Sequence, residues 1–332
     1  MTEPTGPRTA AVVLALLLVY VVWGSTYFAI AVMIETLPPL LAAGTRFLAA
    51  GVLMLSAVAA HGWWRGRRGG APAPRASPLH WRSALVIGTF LLLGGNGGVV
   101  LAEQRIPSGV AAVLVATVPI WLATFDAILE RRPPSLLVVA GLIAGIIGVA
   151  ILLAPVEGLA RIDPLGVILV VGGAMCWAIG SLYARRAPLP GSGLLTTGME
   201  MVGGGLALVL AGVVIGEIGR TNVDAFSLRS LLAFGYLIVF GSIVAFTAYT
   251  WLLANVSVST VGTYAYVNPV VAVALGAVLL SEPITPRTVI ASLLIIGAVI
   301  AMVTGRPRTD RVAGTDPAPQ SPYEEVPDRR GA

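Results

Sequence analysis

The stretch that decides the fold is Ser257 to Glu282, SVSTVGTYAYVNPVVAVALGAVLLSE. It is apolar enough and long enough to cross a bilayer, yet Pro269 stands near its middle, with Tyr264, Tyr266 and Asn268 just before it. An earlier stretch, Pro107 to Glu130 (PSGVAAVLVATVPIWLATFDAILE), has the same plan, with Pro119 near its middle and an acid at its end. Two interrupted apolar helices of one design point to an internally repeated chain.

Composition agrees with a membrane setting. Of 332 residues, 57% are hydrophobic and 11% charged, with a mean hydropathy of +0.89, whereas soluble domains are roughly a quarter charged. All 21 basic residues are arginine. The single cysteine, Cys176, excludes an intramolecular disulfide and a cysteine-based metal cluster. His61 and His80 flank one polar loop, which argues against a histidine centre inside the bilayer.

Working outward from the two proline stretches, the apolar runs predict an all-α membrane protein with ten spans, at 10–34, 38–60, 81–102, 107–130, 134–154, 164–187, 194–216, 230–254, 257–280 and 285–304. Residues 1–9 and 305–332 read as a cytoplasmic N-terminus and a disordered cytoplasmic tail, 61–80 as a flexible connector, and 155–163 as a periplasmic linker. The first run is too long for a signal-peptide core and is expected to be retained. Arginine sets the orientation. With the N-terminus inside, Arg8, Arg65, Arg67, Arg68, Arg75, Arg82, Arg131, Arg132, Arg185, Arg186 and the tail arginines are cytoplasmic; only Arg105, Arg161, Arg220, Arg229 and Arg287 lie outside. That asymmetry predicts both termini inside. The formal net charge of +5 is then a topology signal and not a nucleic-acid signal.

The repeat has a register. Trp23 and Trp177 are 154 residues apart, as are Arg46 and Glu200; Pro119 and Pro269 are 150 apart, and Glu130 and Glu282 are 152 apart. Two five-helix units, 10–154 and 164–304, fit that spacing. Because five is odd, the second enters the membrane from the opposite side, the inverted repeat found in secondary transporters. WGSTYFAI in the first span, LPPLLAAGTRFLAAG in the second, NGGVVLAEQRIPSGVAAVLVATVPIW and STVGTYAYVNPVVAVALGAVLLSEPIT resemble the drug/metabolite transporter superfamily, and within it the ten-helix permeases with two EamA domains. The resemblance covers about residues 10 to 304. It implies an inverted-repeat bundle in the bacterial inner membrane, alternating access, and export of amino acids or other small metabolites.

Candidate site residues follow from what a bilayer penalises. Pro119 and Pro269 each free a carbonyl, those of Val115 and Ala265, which must meet protein or a wet cavity; Thr117 and Asn268 are at hand to satisfy them. The kinks either line a site and flex there, or serve packing alone. Trp23, Tyr27, Trp121, Trp177, Tyr249, Tyr264 and Tyr266 lie well within spans, with Trp23, Tyr27, Trp177 and Tyr264 the leading candidates. Each taken singly suits helix packing; as a set they suit a cavity for an amphipathic solute. Asn96, among glycines in the third span, bonds either a solute or a neighbouring helix. Arg46 and Glu200 occupy equivalent repeat positions with opposite charge, on the order of 10 Å apart along the membrane normal by helical rise. Arg46 is the candidate for a substrate carboxylate and Glu200 for a coupling proton; the alternative is that both snorkel or bond their own neighbours. Asp126 reads as part of an interfacial cluster with Arg131 and Arg132, Glu103 as a solvated turn with a gate as the alternative, and Glu282 as structural.

The predicted activity is therefore secondary transport, most simply export of a small organic solute, with no metal and no cofactor. No phosphate-binding G-x-x-x-x-G-K-S/T loop is present, so ATP is not the direct energy source. The partners expected are the solute, the lipid bilayer and, as coupling ion, the proton. An importer of the same solutes, a non-transporting sensor or scaffold, and a membrane-embedded enzyme are the competing readings. Scattered acids argue against the enzyme.

Overall fold

A computed structural model describes residues 9–69, 76–131, 136–154, 161–256 and 263–304, and among these every regular element is helical. The helices are α1 (Thr9–Met33), α2 (Pro39–Arg67), α3 (Pro78–Ala102), α4 (Ser108–Leu129), α5 (Leu136–Leu153), α6 (Pro164–Ala184) and α7 (Gly193–Val214). After a short helical turn, Glu217–Arg220, come α8 (Leu228–Tyr236, Leu237–Val244 and Ala245–Asn255 in one run), α9 (Tyr264–Leu279) and α10 (Pro286–Thr304). Seven of them, α1 to α4 and α6 to α8, are long and apolar enough to cross a membrane; apolar cores in α5, α9 and α10 are shorter. Large apolar side chains such as Leu14, Ile128, Leu136 and Leu293 face outward, as they must where the surrounding solvent is hydrocarbon.

Local chemistry sets the boundaries. Proline occupies the first turn of α2, α3 and α6, where its missing N–H costs nothing. Asp163, Ser192 and Ser227 cap α6, α7 and α8. Ser77 and His80 exchange reciprocal caps at the start of α3. The connector after the second span is shorter at both ends than the sequence suggests. The apolar run stops near residue 60, but α2 continues to Arg67, where Arg67 lies over the Trp63 ring and Arg68 over Trp64. The segments 1–8 and 305–332 lie outside the described residues.

Small residues let the helices close on one another. A Cβ at Gly44 would come within 2.7 Å of the Val209 backbone nitrogen, and one at Gly51 within 2.9 Å of the Gly198 carbonyl, so α2 and α7 meet backbone to backbone. Gly88 sets α3 against Glu200 and Gly204 of α7 in the same way. The extensive pairings are α2 with α7, α5 with α10, α4 with α9, α1 with α9, α4 with α6, α3 with α6, α1 with α8, α3 with α7 and α2 with α8. Exchanging each helix for the one five places on maps this set onto itself.

Three further features recur. Thr89–Asn96 in α3 and Leu237–Val244 in α8 are both π-helical segments of eight residues. Arg131, after α4, and Ser281, after α9, both take a left-handed backbone at φ 51 and 56. Glu217 bonds the backbone N–H groups of Leu40 and Leu41 at 3.0 and 2.8 Å, and Glu282 those of Ser108 and Gly109 at 2.7 and 3.1 Å. Each carboxylate thus caps an N-terminus in the other half of the chain.

The two proline helices differ. At Pro119, α4 divides into Ser108–Val115 and Val118–Leu129, with Ala116 and Thr117 in a turn between them. Thr117 Oγ1 donates to the Leu114 carbonyl at 2.6 Å and not to that of Val115. Around Pro269, α9 runs on without a break, and its described part begins only at Tyr264, so the proline is in its second turn. The preceding residues, 257–262, lie outside the described set.

Candidate functional site

The site is built on α1. Trp23 projects from it toward α8 and α9, and its indole Nε1 donates to the Gly241 carbonyl at 3.2 Å. Three rings surround it: Phe246 at 5.1 Å, Tyr249 at 5.0 Å and Tyr264 at 5.2 Å between centroids, the first and third edge-on. Tyr249 and Tyr264 meet at 5.9 Å. Edge-to-face contacts of this kind hold aromatic walls in fixed orientation. One turn along α1, Tyr27 packs against the main core, and its hydroxyl is within electrostatic reach of Glu103 and Tyr264.

Asn268 ties this wall together. With its amide assigned by the acceptors around it, its nitrogen donates to the carbonyls of Tyr20 (3.2 Å) and Tyr264 (3.3 Å), so it serves α1 and the turn before Pro269 and not the Ala265 carbonyl that the sequence singles out. Gly24 lets α9 approach, since a Cβ there would lie 2.6 Å from the Val271 side chain.

Arg46 reaches the same part of α8 from α2. It is 3% exposed, so it does not snorkel to a membrane face. Its Nε donates to Ser242 Oγ at 3.1 Å, its guanidinium lies over its neighbour Phe47 at 4.3 Å, and its Nη1 is buried without a partner. Gly241 and Ser242 are adjacent in the π-helical segment of α8, so one segment receives both the indole and the guanidinium. Glu200, on α7, forms no ion pair with Arg46 among the described residues, and its carboxylate is within electrostatic reach of Tyr249.

The remaining candidates lie elsewhere. Trp177, on α6, sits against Gly95 in the π-helical segment of α3; a Cβ at Gly95 would be 2.8 Å from the Trp177 ring. Asn96 belongs to that segment and buries an unpartnered Oδ1. Trp121, just beyond the break in α4, stacks on Phe125 at 6.0 Å and buries an unpartnered Nε1. Among the described ring contacts, neither tryptophan touches the Trp23 cluster. The geometry thus joins Trp23, Tyr27, Arg46, Tyr264 and Asn268, sets Glu200 at their edge, leaves Asn96 and Trp177 at the other π-helical segment, and leaves Trp121 on α4 with Phe125. Phe246 and Ser242 complete the first group. Neither stands out in the sequence, because an apolar ring and a serine in an apolar run carry no positional signal until α8 is folded against α1.

At one end of the bundle a cleft of about 680 Å³ opens between the α1–α2 loop, the α3–α4 hairpin and the ends of α6 and α7, with Glu35, Thr36, Gln104, Arg105 and Arg220 on its walls. Arg105 pairs there with Asp163 at 2.9 Å, and this hydrogen bond, followed by that from the Leu165 N–H, holds the Asp163 carboxyl below its usual range. Arg229 faces Glu35 at 3.6 Å. At the opposite end Arg185 pairs with Asp126 at 3.2 Å and Arg186 with Glu130, tying the end of α4 to the end of α6. Asp126 and Glu130 therefore find their partners in the other half of the chain, and not in Arg131 beside them.

Glu103 is the largest departure from the sequence reading. It follows α3 in the hairpin, where a solvated turn is expected, but both its carboxylate oxygens are buried without a hydrogen-bond partner. Burial first, and the charge of Glu282 second, push its carboxyl well above the usual range.

Comparison with known proteins places this arrangement. The "Uncharacterized inner membrane transporter YedA" of Escherichia coli K12 is 40% identical over 294 residues, covering 88% of this chain and 90% of that protein. The "Uncharacterized transporter YvbV" of Bacillus subtilis is 25% identical over 312 residues, covering 92% and 95%. A solved crystal structure shares the fold at a TM-score of 0.57 and 22% identity, covering 90% of this chain and 97% of that one. The model of the EamA-like transporter family matches twice, over residues 10–154 and 164–304. The chain belongs to the EamA-like transporter family.

Proposed function

We propose that the protein is a secondary exporter of a small organic solute, an amino acid or a related amphipathic molecule, in the bacterial inner membrane. It works by alternating access between two inverted five-helix repeats, ten spans in all, with both termini cytoplasmic. The observation that carries this reading is the buried guanidinium of Arg46, with Nη1 unpartnered, anchored beside an aromatic wall drawn from both halves of the chain. A buried cation beside rings offers a carboxylate contact and an apolar surface to one solute. The two family-model matches, the paired π-helical segments and the five-place symmetry of helix packing support the repeat. The arginine distribution supports the orientation, and the name of the E. coli relative supports the compartment.

Metabolite profiling of cells with and without the gene identifies the solute, and flux in vesicles of known orientation then tests the mechanism. The expected result is a solute that rises in the medium on expression and leaves right-side-out vesicles loaded with it. Uptake against its gradient in the same vesicles makes the protein an importer. No flux of any profiled solute makes it a sensor or scaffold.

A further inference from the structure

Glu103 is next to the cleft in the chain and within electrostatic reach of the helix that carries Trp23. Leu101, Gln104 and Arg105, on either side of it in the chain, line the cleft. Tyr27, on the same helix as Trp23, is within its electrostatic reach. Other atoms of the residue touch the surface, but its two oxygens do not, and neither has a partner.

Its neighbours explain which form it takes. Arg105, the nearest arginine in the chain, is committed to Asp163. Among the described residues, the charged group that acts on Glu103 is Glu282, from the α9–α10 connection. Glu282 spends both oxygens on the N–H groups of Ser108 and Gly109, so its charge is held by a helix N-terminus. A second buried carboxylate close by, with no donor of its own, cannot also be ionised without a large penalty. When two carboxyls share a region, the one without donors carries the proton. Ser108 adds an independent mark: it is 1% exposed, its Oγ has no partner, and it adjoins the Glu282 carboxylate beside Gly276. That leaves a buried hydroxyl available as the second member of a relay.

Building on the exporter reading, we propose that Glu103 is the proton-binding site of the transport cycle, loaded from the cleft and discharged on the opposite side. In loading, a hydronium ion in the cleft gives up its proton, an O–H bond forms on one Glu103 oxygen, and water remains. In discharge that O–H bond breaks and the proton passes to water on the other face. One proton enters for each solute that leaves. Glu200, the acid that the sequence favours, is then a solute contact. Tyr27 reports the protonation state of Glu103 to the aromatic wall.

Infrared spectroscopy of the purified full chain in lipid vesicles tests the site without any solute. The expected spectrum shows a protonated-carboxyl band at neutral pH that shifts in D2O, is absent in Glu103→Gln and persists in Glu200→Gln. In Glu282→Gln the band should titrate at lower pH, because the neighbouring negative charge is gone. A band absent from the wild type, unchanged in Glu103→Gln, or never exchanged by D2O overturns the proposal. Coupling is read as the ratio of amino-acid-mixture efflux with and without an inward proton gradient. That ratio should be several-fold in the wild type and near unity in Glu103→Gln; an unchanged ratio sinks the coupling role. Absence of flux in the wild type together with a normal band removes the exporter reading and the coupling role with it, while leaving the protonated carboxyl in place. Glutamine matches the neutral acid in shape, and Glu103→Asp, which restores an acid at lower reach, serves as a second variant if glutamine impairs folding.

Discussion

At Arg46 three facts converge: near-complete burial, one hydrogen bond to Ser242, and a free Nη1. Breaking a buried polar pair costs about 1–3 kcal/mol because the remaining partner is stranded. A charge-assisted bond to a solute carboxylate is of similar size. Arg46→Met should therefore lower solute flux by roughly ten- to a hundredfold, and Arg46→Lys, which keeps the charge but loses the planar fork, should recover only part of it. Flux measurements on both variants at matched expression check this; full activity in Arg46→Met would remove Arg46 from the site. The residue scale is also where sequence reading was weakest. Arg46, Trp23 and Tyr264 were legible because a bilayer penalises polar groups wherever they stand. Glu103 was not, because an acid just past an apolar run has the signature of a solvated turn. Its burial, and the nearness of Glu282 and Tyr27, arise only through the fold.

Elements were more legible, because runs of about 20 apolar residues have few other uses. Caps such as Asp163 before Pro164 set several ends in the structure, beyond what the apolar runs alone define. The π-helical segments in α3 and α8 were invisible, since one additional residue per turn leaves hydropathy unchanged. The two prolines looked alike in sequence and behave differently: Pro119 coincides with a break, whereas Pro269, with Asn268 serving the turn before it, is carried within a continuous helix. Helix contact supplies a sharper test than either. A Cβ at Gly88 meets backbone of Gly204 at 2.7 Å, which cannot yield as a side chain would, whereas Gly235 has nothing within 4 Å. Gly88→Ala should destabilise by about 1–3 kcal/mol, and Gly235→Ala should be neutral or stabilising by up to about 1 kcal/mol. Thermal unfolding in detergent compares them; equal midpoints would mean that α3 and α7 are farther apart than described.

For the whole molecule, the proposed alternating access needs contacts at both ends that can break and re-form. Arg185–Asp126 and Arg186–Glu130 close one end, and Arg105–Asp163 and Arg229–Glu35 border the cleft at the other. Every one of these pairs is at least partly exposed, and such pairs are worth about 1 kcal/mol or less each. That suits a gate, which must open at thermal cost. Arg185→Glu with Arg186→Glu should favour the state open at that end and raise the labelling rate of a cysteine placed near Asp126 several-fold. Adding Asp126→Arg and Glu130→Arg should restore the original rate. A rate unchanged by the first pair of substitutions would show that these charges do not hold the end closed. The proposed repeat rests in the sequence on Trp23/Trp177, Arg46/Glu200 and the proline spacing, whereas the ion pairs between the ends of α4 and α6 could not be read there, because ion pairing is a property of docked helix ends.

The π-helical segment of α8 has one more consequence. A residue inserted into or removed from an α-helix rotates everything beyond it by about 100°. The wide turn at Leu237–Val244 absorbs such a surplus, and so sets the angular phase of Ala245–Asn255 relative to Leu228–Tyr236. With that phase, Phe246 and Tyr249 face Trp23 while Ser230, a helix-length away, still bonds Val32. If the turn tightened to ordinary α-geometry, one end of α8 would keep its grip on α1 and the other would swing its rings away. The segment is thus a rotary coupling, in which a single residue of slack decides whether the two ends of one helix address α1 together.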